Sequence, residues 1–376
     1  METPDLTSPD YWESESVDLR LNPKRPVEVS GLREFLVNDL GLRGVVVLAT
    51  SGSGGSAKFV VLSKGAILAS ARAVNGHCGL GPDDVWLGGL STFHVGGIGI
   101  YARAYASGAS VVPMAWDAWT RDGSLFLDAV RNAQAKLTSL TPAHLWDLVR
   151  TGARCPATLR GVFLGGGRID PPLVVGAREL GWPVRATYGM SEAASQVATA
   201  LDGQCEWLPL LSNWQTRTDA EGRLLLRGEA LFSGYAQHDG GGWAFDPARD
   251  EEGWFVTGDR CELREGRLRF LERADGAVKV SGELISLSAM NDRLARFGIV
   301  GLVVAVPDER RGNELVMVCE EGGESLLERF NAELPQVERV VRHVVVTGLP
   351  RTEIGKLDRV RIESLAQLAV DSQPTG

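Results

Sequence analysis

The stretch T-S-G-S-G-G-S-A-K, Thr50 to Lys58, decides how this chain is read. It is rich in glycine and hydroxyl groups and ends in a lysine. The apolar run just before it, Val45 to Ala49, reads as a buried strand. A strand that empties into such a loop can aim backbone N–H groups and a cationic tip at a phosphate chain. The same composition also suits a plain flexible surface turn. The loop is not a Walker motif, which needs Gly-Lys followed by Ser or Thr to bind magnesium. Here Ala57 precedes Lys58 and Phe59 follows it. If the loop holds a nucleotide, it does so in another class of protein.

Bulk properties narrow the field. A chain of 376 residues suggests two unequal domains. A hydrophobic content of 44% supports a sizeable core, and a formal net charge of -9 argues against nucleic-acid binding. Cys78, Cys155, Cys205, Cys261 and Cys319 are scattered and form no C-x-x-C, which suits a reducing cytoplasm rather than a zinc site or disulfide frame. The opening M-E-T-P-D-L-T-S-P-D has no apolar core, so no signal peptide is expected, and no apolar run is long enough for a membrane span.

Beyond the glycine loop, strands and helices alternate. Ser63 can cap a helix through Val74, Val85 to Leu90 reads as a strand, and Gly97 to Ser107 as a helix of small residues. Ala109 to Pro113 and Leu137 to Leu140 are extended, Leu125 to Ala133 is helical, and Thr141-Pro142 starts another helix. Leu159 to Leu164 is a strand, Pro171 to Leu180 a helix, and Val184 to Thr187 a strand. The alternation implies an α/β fold with a doubly wound, mostly parallel sheet, whose ligands gather at the carboxyl ends of strands. Three candidate groups sit there. His94 lies in Phe93-His94-Val95-Gly96-Gly97. Gly165, Gly166 and Gly167 expose bare backbone on which something flat could rest. Thr187, Tyr188, Gly189, Met190, Ser191 and Glu192 bring an aromatic face, a hydroxyl and a carboxylate within a few positions, continuing to Ser195 and Gln196. A purine could stack on Tyr188, and Glu192 could hold magnesium against phosphate. A capped helix start is the plainer reading of the same residues. Upstream, Gly31 to Leu40 reads as one amphipathic helix, with nothing catalytic in the first 44 residues.

From about residue 205 the texture becomes β-rich, with short strands at Gly222 to Gly228, Gly253 to Val256 and Arg267 to Leu271. Within it, Thr257-Gly258-Asp259 places an Asp on a tight turn, able to accept two hydroxyl donors. Glu272 to Gly282 reads as a polar connector and domain boundary. The expected division is a large domain over 1–272, a hinge over 273–282 and a small α+β domain over 283–376. In the small domain Leu284 to Phe297 is helical, and Lys356 tips a glycine-bearing loop.

Order and content together resemble the adenylate-forming superfamily of acyl-CoA synthetases, luciferases and peptide-synthetase adenylation domains. Its phosphate loop matches Ser51 to Lys58, its Y-G-x-T-E matches Tyr188 to Glu192, its T-G-D matches Thr257 to Asp259, its hinge R-x-D matches Arg273 to Asp275, and its P-R-T-x-x-G-K matches Pro350 to Lys356. Within the superfamily, Phe93 to Gly97, Tyr188 to Gln196 and Leu349 to Thr352 resemble the o-succinylbenzoate–CoA ligases of menaquinone biosynthesis. The resemblance implies an AMP-forming acid–thiol ligase that uses ATP, Mg2+ and coenzyme A on a small aromatic carboxylic acid. It implies that Thr50, Ser51, Gly52, Ser53, Gly54 and Gly55 with Lys58 surround the phosphates, and that Glu192 coordinates magnesium. Asp259 and Arg273 would grip the ribose, and the adenine would lie between Gly165–Gly167 and Tyr188. Lys356 would bridge the carboxylate and the α-phosphate. Asp275 would be the pivot of a domain rotation that presents Gly282 and its neighbours, Lys279 among them, to coenzyme A. His94, Ser195 and Gln196 would be polar contacts of the substrate.

Departures qualify the resemblance. Gly54 replaces a usual hydroxyl, Ala57 replaces a usual proline, and Gly276 replaces a frequent acidic residue. The segment ahead of the phosphate loop is shorter than in most members, so turnover could be low or a homodimer could supply the missing cover. Rival readings are another aryl- or fatty-acyl-CoA ligase, an amino-acid-adenylating domain, and a nucleotide-binding member with little catalysis.

Overall fold

The computed structural model describes residues 4–24, 26–50, 58–115, 117–167, 169–201, 203–274, 276–320, 322–350 and 357–372. Ser51, Gly52, Ser53, Gly54, Gly55, Asp275 and Lys356, all expected at the site, therefore lie outside the described residues. The described residues fall into two compact units, 4–50 with 58–274, and 276–372.

The larger unit carries three sheets. A six-stranded sheet runs in the order Ser110–Pro113, Val85–Gly88, Leu137–Leu140, Gly161–Leu164, Val184–Met190, Ser195–Thr199. Its first five strands are parallel and the last is antiparallel. Leu137–Leu140 and Gly161–Leu164 are buried at every position, as expected of strands covered on both faces. Helices Val95–Ser107, Ser124–Ala133, Pro142–Arg150 and Pro171–Glu179 make the crossovers. Thr141 caps Pro142–Arg150 as expected, its hydroxyl accepting from His144 N while Pro142 fills the first turn. This sheet is the doubly wound, mostly parallel one that the alternation implies.

A second sheet of five strands corrects the reading around the glycine loop. Val45–Thr50 is followed by a second strand, Lys58–Ser63, antiparallel to it with Thr50 opposite Lys58. The loop joins two strands of a hairpin, and only then does Ser63 cap the helix Lys64–Cys78, accepting from Ala66 N at 3.0 Å. Phe59, Val60, Val61 and Leu62 are all buried, which explains the strand. A run buried on both faces shows no alternation. Asp18–Arg20 pairs parallel to Val45–Thr50 at one edge, and Gly234–His238 and Trp243–Asp246 extend the other. The third sheet, antiparallel, is the β-rich region, ordered Leu208–Pro209, Arg267–Arg273, Phe255–Arg264, Arg223–Arg227, Gln215–Thr218. Upstream, the single helix expected over Gly31 to Leu40 is one α-turn, Leu32–Glu34, continuing as the π-helix Phe35–Asp39.

The smaller unit is α+β. Ala277–Val280 and Glu283–Ser286 form a hairpin through Ser281 (φ 52°) and Gly282 (φ 87°), where the sequence reads as a polar connector. The helix expected from Leu284 starts at Leu287, because Leu284 and Ile285 belong to that hairpin. Gly301–Asp308, Gly312–Cys319 and Arg342–Val345 make a three-stranded sheet, and the helix Arg359–Asp371, which periodicity did not reveal, packs on it through Ile362 and Ala366. Among the described residues no helix is long and apolar enough to cross a membrane.

Candidate active site

The strand Val184–Met190 organises the site. It carries Thr187, Tyr188, Gly189 and Met190, then turns through the short 3-10 helix Ser191–Ala193 into the antiparallel strand Ser195–Thr199. The motif is thus a hairpin rather than a loop or an α-helix start. Its tight reversal places Ala194 at φ 51° and Ser195 at φ 128°. Gly189 is required by packing. A Cβ there would lie 1.7 Å from the Ser195 carbonyl oxygen and 2.9 Å from Gln196 Cα. Gly189→Ala is expected to cost more than about 3 kcal/mol, because only backbone could give way. Gly166→Ala meets nothing within 4 Å and bears only its φ of 82°, a cost of about 1–2 kcal/mol. Urea midpoints of the two variants check the contrast.

Two side-chain groups converge on this hairpin. In the first, Tyr188 donates its hydroxyl to Asp259 Oδ2 at 2.6 Å, and Arg273 Nη1 donates to Asp259 Oδ1 at 2.8 Å. Burial and the Asp259 carboxylate push the Tyr188 phenol well above its ordinary value, so it stays a donor throughout the neutral range. Thr257-Gly258-Asp259 does not form the expected tight turn. It lies inside the ten-residue strand Phe255–Arg264, with Asp259 opposite Arg273 in register. Gly258 leaves room for the arginine, whose Nη2 would stand 2.6 Å from a Cβ there. Asp259 is buried, and each of its oxygens keeps a second lone pair for a hydroxyl donor such as a ribose presents.

In the second group, Tyr235 donates to Glu192 Oε1 at 2.7 Å, and Lys58 Nζ sits 3.5 Å from the Tyr235 ring centroid. Burial and Glu192 raise the Tyr235 phenol far above its usual value. This chain links the lysine that ends the glycine loop to the carboxylate expected to hold magnesium. No group of three or more His, Cys, Asp or Glu among the described residues could hold a metal alone. One hard carboxylate does suit Mg2+, which takes one or two carboxylates and completes its shell with substrate phosphates and water.

Gly165, Gly166 and Gly167 follow the strand Gly161–Leu164. Thr187 Oγ1 donates to the Leu164 carbonyl at 3.0 Å and would lie 2.3 Å from a Cβ on Gly165, so this glycine is dictated by Thr187. His94 is exposed and immediately precedes the helix Val95–Ser107. Gly97 lets that helix press on the loop before it, since a Cβ would be 2.0 Å from the Ser91 carbonyl oxygen. Ser195 faces the same helix. A Cβ on Gly99 would lie 3.5 Å from Ser195 Oγ and 3.2 Å from Arg103 Nη1.

Arg103 escaped the sequence reading. It is 2% exposed, 4.9 Å from the Trp86 ring and 5.5 Å from that of Phe163, and its Nη2 reaches Ser139 Oγ at 3.4 Å. Its Nε has no hydrogen-bond partner, and no carboxylate among the described residues pairs with it. Burial lowers its guanidinium to about 10, which still leaves it charged at neutral pH. A buried, unpaired cation calls for an anion.

Gln196 is buried, and its side-chain oxygen accepts from Thr199 Oγ1 while its carbonyl accepts from Trp214 Nε1. Lys279 and Gly282 belong to the hairpin of the smaller unit. Asn313 Nδ2 donates to the Lys279 carbonyl at 2.8 Å.

The model of the family described as AMP-binding enzyme matches residues 43–236, more than half of the chain, and the chain belongs to that family. Among curated proteins it is similar to a 2-succinylbenzoate–CoA ligase of Bacillus cereus, 27% identical over 369 residues, covering 90% of this chain and 73% of the relative. It is likewise similar to the 2-succinylbenzoate–CoA ligase of Salmonella typhimurium, 33% identical over 307 residues, covering 80% of this chain and 64% of that one. Among solved structures it is similar to o-succinylbenzoate CoA synthetase from Bacillus subtilis bound with its product analogue OSB-NCoA. The TM-score is 0.72 at 25% identity, with 85% of this chain and 69% of that one covered.

Proposed function

We propose that this AMP-binding enzyme is an ATP-dependent, AMP-forming acid–CoA ligase acting on o-succinylbenzoate. The observation that carries the substrate reading is Arg103. The substrate has an aromatic ring, a keto group and two carboxylates, and only one carboxylate is activated. The other stays ionised and needs a cation, and a planar guanidinium is the side chain suited to hold it. Arg103 lies beside Ser195 on the helix that follows His94, so Ser195 and His94 are the proposed neighbours of the ring and keto group. Gln196 supports them from behind through its bond with Thr199. An acyl chain or plain benzoate would leave the buried cation unsatisfied.

In the first half-reaction the succinyl carboxylate attacks the α-phosphorus and pyrophosphate departs. In the second the thiol of coenzyme A displaces AMP. Asp259, oriented by Tyr188 and Arg273, is proposed to accept the ribose hydroxyls, and the Gly165–Gly167 backbone to lie along the adenine. Magnesium, when bound, would neutralise charge on the phosphate oxygens. Glu192, held by Tyr235, is the residue proposed to face it. The glycine loop and Lys356 complete the site by resemblance, as does a hinge at Asp275 with the Lys279–Gly282 turn near coenzyme A. Five free cysteines suit a reducing, cytoplasmic setting.

Exchange of labelled pyrophosphate into ATP tests the reading. Exchange is expected with o-succinylbenzoate and to be at least about tenfold weaker with benzoate or a fatty acid. Equal or better exchange with either alternative would replace the substrate reading. No exchange with any acid would leave a nucleotide-binding protein.

A further inference from the structure

The first 44 residues carry no recognisable motif, yet one of them reaches the acid-binding loop. Arg20 ends the edge strand Asp18–Arg20 and stands opposite Leu48, two residues before Thr50. Its side chain is only 6% exposed. Nε donates to Asp18 Oδ2 at 2.6 Å, and Nη1 donates to Thr92 Oγ1 at 2.9 Å, across 72 positions of sequence. Nη2 is buried without a hydrogen-bond partner. Tyr11, in the short helix Pro9–Glu13, donates its hydroxyl to the same Asp18 oxygen at 2.7 Å, and Lys64 Nζ donates to the Tyr11 carbonyl at 2.6 Å.

Thr92 immediately precedes Phe93 and His94. Around it, His94 N donates to the Ser91 carbonyl at 3.2 Å, Gly97 N and Ile98 N donate to the His94 carbonyl at 3.0 and 3.2 Å, and Gly97 packs on the Ser91 carbonyl. A hydrophobic pair could fill the space of a buried arginine at lower cost in desolvation. What such a pair could not do is tie an edge strand of one sheet to a loop of another through a directional, charge-assisted bond.

We infer that Arg20 is a positioning residue for acid binding: through Thr92 it sets the loop Ser91–His94 at the start of the helix that carries Gly99 and Arg103. Asp18 and Tyr11 fix the Nε side of the guanidinium, which leaves Nη1 aimed at Thr92. The inference rests on the proposed reading of that helix and loop as the acid site.

Three variants test it: Arg20→Gln, Thr92→Val and Thr92→Ser. Loss of one charge-assisted bond is expected to raise KM for the acid about tenfold in Arg20→Gln and Thr92→Val, with KM for ATP within about twofold. Thr92→Ser keeps the acceptor oxygen and should behave as the parent. Amide hydrogen exchange, read on the peptide spanning residues 90–97, should speed up in the first two variants only. Equal movement of both KM values, Val and Ser variants that behave alike, or unchanged exchange would each overturn the role. If the parent shows no turnover with o-succinylbenzoate, the substrate reading fails, and the exchange comparison still decides the coupling of Arg20 to the loop.

Discussion

Replacing Arg103 by leucine is expected to lower kcat/KM for o-succinylbenzoate by about 10²- to 10³-fold, the loss that follows from truncating one partner of a buried, hydrogen-bonded charge pair. The variant should fold. Leucine removes a buried cation that has no carboxylate partner among the described residues and whose Nε makes no hydrogen bond, and such replacements are often neutral or stabilising. A raised or unchanged Tm beside a collapsed kcat/KM would therefore separate recognition from stability. The discriminating acid is 4-oxo-4-phenylbutyrate, the same molecule without the ring carboxylate. It has nothing for Arg103 to hold, so its kcat/KM should stay within about threefold in the variant. Arg103→Lys keeps the charge but loses the planar fork, and should fall between parent and leucine variant. Equal losses for both acids would remove Arg103 from substrate recognition.

The second large effect concerns Lys356. It lies outside the described residues, and its role rests on the match of Pro350 to Lys356 with a loop that places a lysine on the reacting carboxylate and phosphate. Lys356→Ala is expected to slow pyrophosphate release by about 10²- to 10³-fold, the usual consequence of deleting one preorganised charge at a developing anion. Thiolation of chemically prepared acyl-adenylate should change less than about twofold, because the proposed domain rotation withdraws this lysine before coenzyme A reacts. The two half-reactions, run separately by quench flow, decide the matter. Parallel losses in both would mean that Lys356 serves the active site as a whole.

Much of the proposed phosphate and nucleotide chemistry can be read from the chain because its residues cluster locally. Tyr188 and Glu192 are separated by three positions, and a strand end followed by a tight turn is enough to bring them to one place. The same locality misled where backbone conformation depends on a distant partner. Thr257-Gly258-Asp259 looks like a turn from its composition. It is a strand because Asp259 pairs with Arg273 and Gly258 makes room for that guanidinium. Lys58–Ser63 received no element from the sequence, and it is a strand because Val45–Thr50 and Gly234–His238 flank it. The hairpin at Ser281-Gly282 was hidden in a polar stretch whose strands have partly exposed positions and weak alternation.

By itself, the sequence determined the class: an α/β chain with a glycine loop, an aromatic-carboxylate motif and a terminal lysine loop in the order of an AMP-binding enzyme. Those features are short-range and chemically constrained, so they survive in one dimension. Tertiary structure alone decided which charges face which partners. Arg103 is an unremarkable base in a helix of small residues until strands bring Trp86, Ser139 and Phe163 around it. Tyr235 meets Glu192 from 43 positions away, and Arg20 meets Thr92 from 72. Burial and orphaned hydrogen bonds are properties of packing, and only the folded chain sets them.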